Sequence, residues 1–390
     1  MIHTSQHDVL APPCRAALDA AAEQARLAEG RTSPNPPVGA VVVRDDAIVG
    51  RGATQPPGGP HAERVALAEA GDLARGADLY VTLEPCTFHG RTPPCTDAII
   101  AAGIRRVLYV APDPDPRIGA GAAHTLGSAG LEVRRLPDPG GAVAELLAPF
   151  RCRVLAGRPL VTAKVAVSLD GKIATSAGES RWITGPDARR EVHRLRDRAD
   201  AILVGVGTAL ADDPELTTRL EDHWRPPRDP LRIVLDSRGR TPLSARLMRS
   251  GTLFATAAAP PAWSEAVCRS GAEVVRLPGQ DERVDLPALL ALLAGRGVNR
   301  LLVEGGAEVL GAFASQGLLD EVWTFVAPLL IGGATAPGPL GGAGVARLSD
   351  ATKLTVRRVE PHGPDLLIVA ASAGAPWWNI EETSHVHRDR

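Results

Sequence analysis

The stretch EPCTFHGRTPPC, residues 84–95, has three prolines and two cysteines, Cys86 and Cys95, the latter around a polar loop with Gly90 and Arg91. Upstream, PHAERVALAEA sets His61 and Glu63 on either side of Ala62 at the opening of a predicted helix. Two thiols so spaced admit a disulfide, a metal site or coincidence. The chain has five cysteines (Cys14, Cys86, Cys95, Cys152 and Cys268) in 390 residues, an odd, low count that makes a poor disulfide framework. One imidazole and two thiolates suit Zn²⁺ and leave a fourth position open for water. The ordered set His61, Glu63, Cys86 and Cys95 therefore reads as a metal site.

His-x-Glu followed by Pro-Cys and a second Cys is the signature of zinc deaminases. Three ligands, His61, Cys86 and Cys95, would hold the metal, which lowers the pKa of water to near 7. Glu63 lies too close to His61 in sequence to be another ligand. Its expected task is to take the water's proton and hand it to a ring nitrogen and the leaving amine. Each cysteine is expected near a helix start, where the dipole favours thiolate. The usual motif has two residues between its cysteines, whereas here eight intervene, from Thr87 to Pro94.

The bulk of the chain limits what such a site acts on. Forty-three basic and 45 acidic residues leave a net charge of −2, so no basic field exists to hold nucleic acid or an anionic membrane. Aromatic residues are 3% of the chain, too sparse for the stacking platforms that bind single strands. The basic residues are nearly all arginine, the lysines being Lys164, Lys172 and Lys353. The opening MIHTSQHDVLAPPC has no basic segment followed by an apolar run, and no apolar stretch reaches a membrane span. These features predict a cytoplasmic protein.

The elements that must position the site alternate between helix and strand. Residues 14–29 read as a helix stopped by Gly30, and GAVVVRDDAIVGRG as two strands joined at Arg44-Asp45-Asp46. ERVALAEA is helical, ADLYVTLEP a strand, TDAIIAAGI a helix and RRVLYVAP a strand. A second series starts at Pro159: LVTAKVAVSLDGKIA as strand, ARREVHRLRDRA as an amphipathic helix, AILVGVGTAL as strand, then further apolar strands with helices between. Such alternation predicts two α/β domains, residues 14–152 and 158–371. The remainder, 372–390, has no apolar periodicity and is expected to be disordered; His385 and His387 within it are expected to be solvated.

SPNPPVGAVVV, HAE and EPC…GRTPPC resemble the pyrimidine deaminase half of the bifunctional deaminase–reductase family of riboflavin biosynthesis. KVAVSLDGKIA, AGESRWITG, VGVGTALADDPELTTR, VLDS and VEGGAEVLGAF resemble its reductase half, so the resemblance covers about residues 14–371. It implies a cytidine-deaminase-like three-layer domain followed by a dihydrofolate-reductase-like domain. It implies Zn²⁺ and NADPH as cofactors, a small pyrimidine ribosyl phosphate as substrate and a homo-oligomer, with no nucleic-acid or membrane partner. Asn35 is then a substrate contact in the first site. In the second, Ala166, Trp182, Thr208, Asp212, Ser237 and the segment from Gly306 to Ala312 approach NADPH. Ser180, Arg196, Leu216, Arg219 and Glu304 hold the substrate, and Lys164 orients or polarises the opened ribose carbonyl.

The implied chemistry is hydrolytic removal of the 2-amino group of 2,5-diamino-6-(5-phosphoribosylamino)pyrimidin-4(3H)-one. NADPH-dependent reduction of the ribosyl group to ribityl follows. Two positions depart from the family: Phe88 stands where a histidine is usual, with His89 following, and Asp115 stands where the Asp-Pro-Asn-Pro run has asparagine. They motivate the alternative of a drifted relative acting on another pyrimidine with impaired deaminase activity. A nucleic-acid deaminase and a folded, inactive binding protein are the other readings weighed against it.

Overall fold

The computed structural model describes residues 11–90, 93–138, 140–221 and 226–380. The chain divides into two compact units, one holding residues 11–155 and 376–380 of the described chain, the other residues 156–375.

The first unit is a five-stranded sheet in the order β2-β1-β3-β4-β5. Its elements in sequence are α1 (Pro12–Ala28), β1 (Gly39–Arg44), β2 (Ala47–Ala53), α2 (Ala62–Ala70), β3 (Asp78–Leu83), α3 (Cys95–Ala101), β4 (Arg106–Ala111), α4 (Gly121–Ser128), β5 (Glu132–Arg135) and α5 (Ala142–Ala156). Strand β1 runs antiparallel to β2 and β3, while β3, β4 and β5 are parallel. Small residues let helix backbones lie close on the sheet. A Cβ on Gly52 would sit 2.1 Å from the Ala62 carbonyl oxygen, and one on Gly39 1.9 Å from that of Ala21. Glycine at 52 therefore fixes how near α2, which opens beside His61, approaches the sheet. Val41, Leu79, Val81 and Val107 form the core against Ala62, Ala66 and Ile99.

The expectation of a disordered tail from residue 372 does not hold for its described part. A strand reaches Ser372 in the second unit, and residues 376–380 pack on the first. Ile380 joins the first unit's core and Trp378 is buried. The carbonyls of Pro376, Trp377 and Asn379 accept hydrogen bonds from the fully buried Arg151 guanidinium, and that of Ile380 from Arg135 Nη2. A buried guanidinium needs acceptors, and the segment supplies them. Its placement is thus dictated by Arg151 rather than by any periodicity of its own. Residues 381–390, with His385 and His387, lie outside the described residues.

The second unit is built on a nine-stranded sheet. Its elements are β6 (Leu160–Ser168), α6 (Pro186–Arg198), β7 (Ala201–Gly205), α7 (Val206–Asp212), β8 (Leu231–Leu235), β9 (Thr252–Thr256), α8 (Pro261–Arg269), β10 (Glu273–Arg276), α9 (Leu286–Gly295), β11 (Arg300–Val303), α10 (Ala307–Ser315), β12 (Glu321–Ala327), β13 (Leu354–His362) and β14 (Asp365–Ser372). The order is β10-β9-β8-β7-β11-β6-β12-β14-β13, parallel from β10 to β12 and antiparallel at the β14 and β13 edge. Alternation splits each strand between two cores. Ala201 and Leu203 face α9 and α10, while Ile202 and Val204 face α6. The segment AILVGVGTAL is strand only to Gly205; Val206 starts α7. A Cβ at Gly205 would meet the Val309 side chain of α10 at 2.6 Å, so the glycine lets α10 pack close to this turn.

Candidate functional sites

In the first unit, β3 ends at Leu83 and delivers Glu84, Pro85 and Cys86 into a loop, and Cys95 opens α3 behind Pro93-Pro94. His61 caps the N-terminus of α2. Their donors converge: Cys86 Sγ lies 3.6 Å and Cys95 Sγ 3.3 Å from His61 Nδ1, and all three ligand atoms fall within 4.8 Å of one another. Zn–S of about 2.3 Å and Zn–N of about 2.0 Å at tetrahedral angles require an S···N edge of roughly 3.6 Å. The three donors fit a zinc ion.

Cys86 is not at a helix start, contrary to expectation. Its thiol is nevertheless pulled down to about 4, because the Cys95 thiol, the His61 ring and the Cys95 backbone N–H all hydrogen-bond it. Cys95, which donates to that thiolate and is buried, is pushed up in turn. Glu63 is buried in the first turn of α2, and burial with the Cys86 charge raises its carboxyl to about 7. A carboxyl poised near neutrality suits a group that takes and returns a proton.

His61, Glu63 and Cys86 line a cavity of about 340 Å³ together with Asn35, Glu84, Asp113 and Arg153, and Cys95 lies buried behind them. Glu84 accepts from the Ala122 backbone N–H at 2.7 Å and from that of Asp113, which ties the loop after β4 to the end of β3. Burial pushes Asp113 up to about 7. Arg153, on α5, donates to the Pro34 carbonyl at 2.9 Å and so braces the turn that carries Asn35.

In the second unit the expected residues gather at the carboxyl ends of the parallel strands, where open α/β sheets bind ligands. Lys164, Ala166, Ser180, Trp182, Arg196 and Thr208 line a cavity of about 1030 Å³, as do Asp212, Leu216, Arg219, Glu304 and Gly306. Ser237 lies in an adjoining cavity of about 1320 Å³, whose walls include Ser180, Thr208, Asp212, Gly306, Ala307 and Ala312. Lys164 and Ala166 of β6 line the first of these cavities; Val165 borders it too but packs with Val167 into the core.

Arg196 does not lie on a solvated face. Its Nε and Nη2 donate to the Glu304 carboxylate at 2.7 and 2.8 Å, and Nη1 to the Thr217 carbonyl at 2.9 Å. Burial opposes the charge on Glu304, but Arg196 and Lys164 outweigh it and hold the carboxyl at about 2. Burial lowers the Lys164 ammonium, against the pull of Glu304. Leu216 takes φ of 52°, a left-handed conformation that strains a branched side chain and recurs at functional sites. The nine-residue helix α10 has Gly306 at its N-cap and no side chain capping its first amides, which leaves them for a phosphate. Together with the Thr208 and Ser237 hydroxyls and the exposed Trp182 ring, this donor set fits a dinucleotide.

Residues 14–111 match the model of the cytidine and deoxycytidylate deaminase zinc-binding region, and residues 159–368 match that of the RibD C-terminal domain. The chain is 39% identical over 359 residues to the riboflavin biosynthesis protein RibD of Bacillus amyloliquefaciens, covering 90% of this chain and 95% of the relative. The chain belongs to the RibD family. It is likewise 40% identical to RibD of Escherichia coli K12 over 86% of this chain and 93% of the relative. Acinetobacter baumannii RibD, form 1, superposes with a TM-score of 0.82 at 33% identity, covering 92% of this chain and 98% of that one. A Thermotoga maritima diaminohydroxyphosphoribosylaminopyrimidine deaminase/5-amino-6-(5-phosphoribosylamino)uracil reductase superposes with a TM-score of 0.79 at 35% identity over 92% and 98%. The fold is accordingly a cytidine-deaminase-like domain followed by the RibD reductase domain.

His89 is exposed, and Phe88 lines the first cavity. Three side chains at these sites were not singled out from the sequence. Arg117 lines the first cavity, and Glu84 orders its loop. His193 lines the second, its Nδ1 accepting from the Arg219 backbone N–H at 3.2 Å. Burial and the charges of Arg196 and Arg219 lower His193 to about 4, so the ring is neutral at physiological pH. The VHRLR pattern of α6 carried a signal for it, since Val192 and Leu195 are the buried stripe beside it.

Proposed function

We infer that the chain carries out two successive steps of riboflavin biosynthesis. The first unit hydrolyses the 2-amino group of 2,5-diamino-6-(5-phosphoribosylamino)pyrimidin-4(3H)-one, releasing ammonia. The second reduces the ribosyl group of the resulting 5-amino-6-(5-phosphoribosylamino)uracil to ribityl with NADPH. The observation that carries the reading is the clustering of His61, Cys86 and Cys95 beside a cavity lined by Glu63, in a chain related to RibD along nine tenths of its length.

Zinc, held by His61, Cys86 and Cys95, supplies Lewis-acid activation of water at neutral pH. Glu63 takes the proton of the attacking water and returns protons to the ring nitrogen and the departing amine. Asn35, on the turn braced by Arg153, orients the pyrimidine. Burial of Glu63 keeps bulk water from competing for the proton it holds.

NADPH supplies the hydride in the second unit, approached by Ala166, Trp182, Thr208, Asp212, Ser237 and the Gly306–Ala312 segment. Lys164 faces the position of the ribose carbonyl and polarises it as C1 accepts hydride. Arg196, fixed by Glu304, and Arg219 hold the phosphoribosyl portion with Ser180 and Leu216. A homo-oligomer is part of this reading, and sizing of the purified chain tests it.

Mass spectrometry of the diaminopyrimidine substrate incubated with the protein, with and without NADPH, tests the whole. Exchange of an amine for oxygen without NADPH and a gain of two hydrogens with it is the expected result. Reduction without deamination would refute the assignment of the first unit.

A further inference from the structure

The two departures from the RibD pattern, Phe88 and Asp115, touch the same third residue. Arg117 donates through its backbone N–H and Nε to Asp115 Oδ1 at 3.0 and 2.9 Å, and through Nε and Nη2 to Oδ2. Its Cζ lies over the Phe88 ring, 4.3 Å from the ring centre. A carboxylate along one edge and an aromatic ring across one face fix a side chain that would otherwise be free to turn. Asp115 is buried, whereas the Arg117 side chain is 64% exposed and lines the cavity of the zinc cluster and Glu63. Its Nη1 donates to no group among the described residues.

This is a built cation. Asparagine at 115 could not pair with it as an ion, and histidine at 88 would offer it a titrating ring instead of an apolar face. Among the described residues the other arginine lining the cavity is Arg153, which is engaged with the Pro34 carbonyl. The cavity also carries the carboxyl groups of Glu63, Glu84 and Asp113, so an anionic substrate needs a compensating positive group at its wall. Planar guanidinium edges bind phosphate oxygens in pairs.

We propose that Arg117, clamped by Asp115 and Phe88, is a specificity-determining residue of the deaminase cavity that binds the phosphate of the phosphoribosyl substrate. The inference rests on the deaminase reading above. Phe88 and Asp115 are then a matched pair that holds a phosphate-binding arginine, not separate losses of function.

The test compares deamination of the phosphoribosyl substrate with that of its dephosphorylated ribosyl form, in wild type, R117A, R117K and D115N. A lost charge-assisted contact lowers kcat/KM by about 10- to 100-fold. R117A is expected to show this on the phosphorylated substrate, mainly through KM, and little change on the dephosphorylated one; R117K should recover part and D115N fall between. Equal losses on both substrates would mean that Arg117 only braces the loop, and no loss on either would mean that it contacts nothing; both overturn the proposal. Bound zinc per chain, measured for each variant, reports that the first unit is folded with its His61, Cys86 and Cys95 cluster intact. If wild type deaminates neither compound, the functional reading fails separately. The proposal is then decided in cobalt-loaded protein, whose visible spectrum reports the His61, Cys86 and Cys95 site. Wild type should need about tenfold less phosphoribosyl product than R117A to shift that spectrum, and equal requirements would overturn it.

Discussion

Replacing Glu304 with glutamine is the sharpest test of the second site's electrostatics. The carboxylate accepts two hydrogen bonds from Arg196, and the two side chains are 10% and 13% exposed, so solvent screens little. Its carboxyl lies at about 2 rather than 4.5, a difference worth about 3 kcal/mol of folding free energy. Glutamine keeps the shape but leaves Arg196 buried beside a neutral amide, and broken buried pairs cost about 3–5 kcal/mol. E304Q should therefore lose about 3 kcal/mol at pH 7. The sign follows from the folded pKa lying below the unfolded one. The contribution is complete above about 4.5 and is lost as pH falls toward 2. The gap between wild type and E304Q should be flat from pH 5 to 8 and narrow below pH 4.5. Hydrogen exchange in increasing urea, read on peptides from α6 and β11, assigns the loss to this unit. A gap under about 0.5 kcal/mol at pH 7, or one that does not narrow at pH 3.5, would refute the reasoning. So would an R196M/E304Q double variant no more stable than E304Q, since removing both charges should relieve the orphaned one.

Ending the chain after Ala375 removes the burial of Trp378 and Ile380 and strips Arg151 of its carbonyl acceptors. With about 2 kcal/mol for each buried side chain, thermal unfolding of the first unit should move down by several degrees while reductase turnover persists. Chelation, or E63Q, should abolish deamination, by a factor of about 100 or more for E63Q, and spare reduction of supplied intermediate; an equal loss of both would contradict the separation of sites. K164M should lower reductase kcat with little change in the KM for NADPH, measured at saturating substrate. His193 is neutral in the folded state down to about 4 but titrates near 6.5 when unfolded. The unfolded chain thus binds the extra proton first, and the second unit's stability should fall between pH 6.5 and 4, with the slope reduced in H193Q.

What the sequence disclosed, and what it withheld, follows from where each residue's partners lie. His61 and Glu63 are two apart, and cysteine is scarce, so the zinc set stood out with no knowledge of the sheet. The helices and strands around it were legible because their apolar residues recur with period 3.6 or 2. β13 escaped because Leu354, Val356 and Val359 point to solvent at a sheet edge, so its apolar residues mark no buried face. Only the family resemblance told Arg196 from the other arginines of α6; its helix pattern could not, since its partner Glu304 is 108 residues away. The segment at 376–380 looked featureless because its order comes from Arg151, more than 220 residues earlier, supplying donors to carbonyls that any sequence has. Arg117 makes the same point at the candidate site. Phe88 and Asp115 read as independent blemishes along the chain, 27 residues apart, yet one guanidinium satisfies the geometry of both. A departure from a family motif is therefore evidence of lost chemistry only after its neighbours in space have been checked for the side chain that makes use of it.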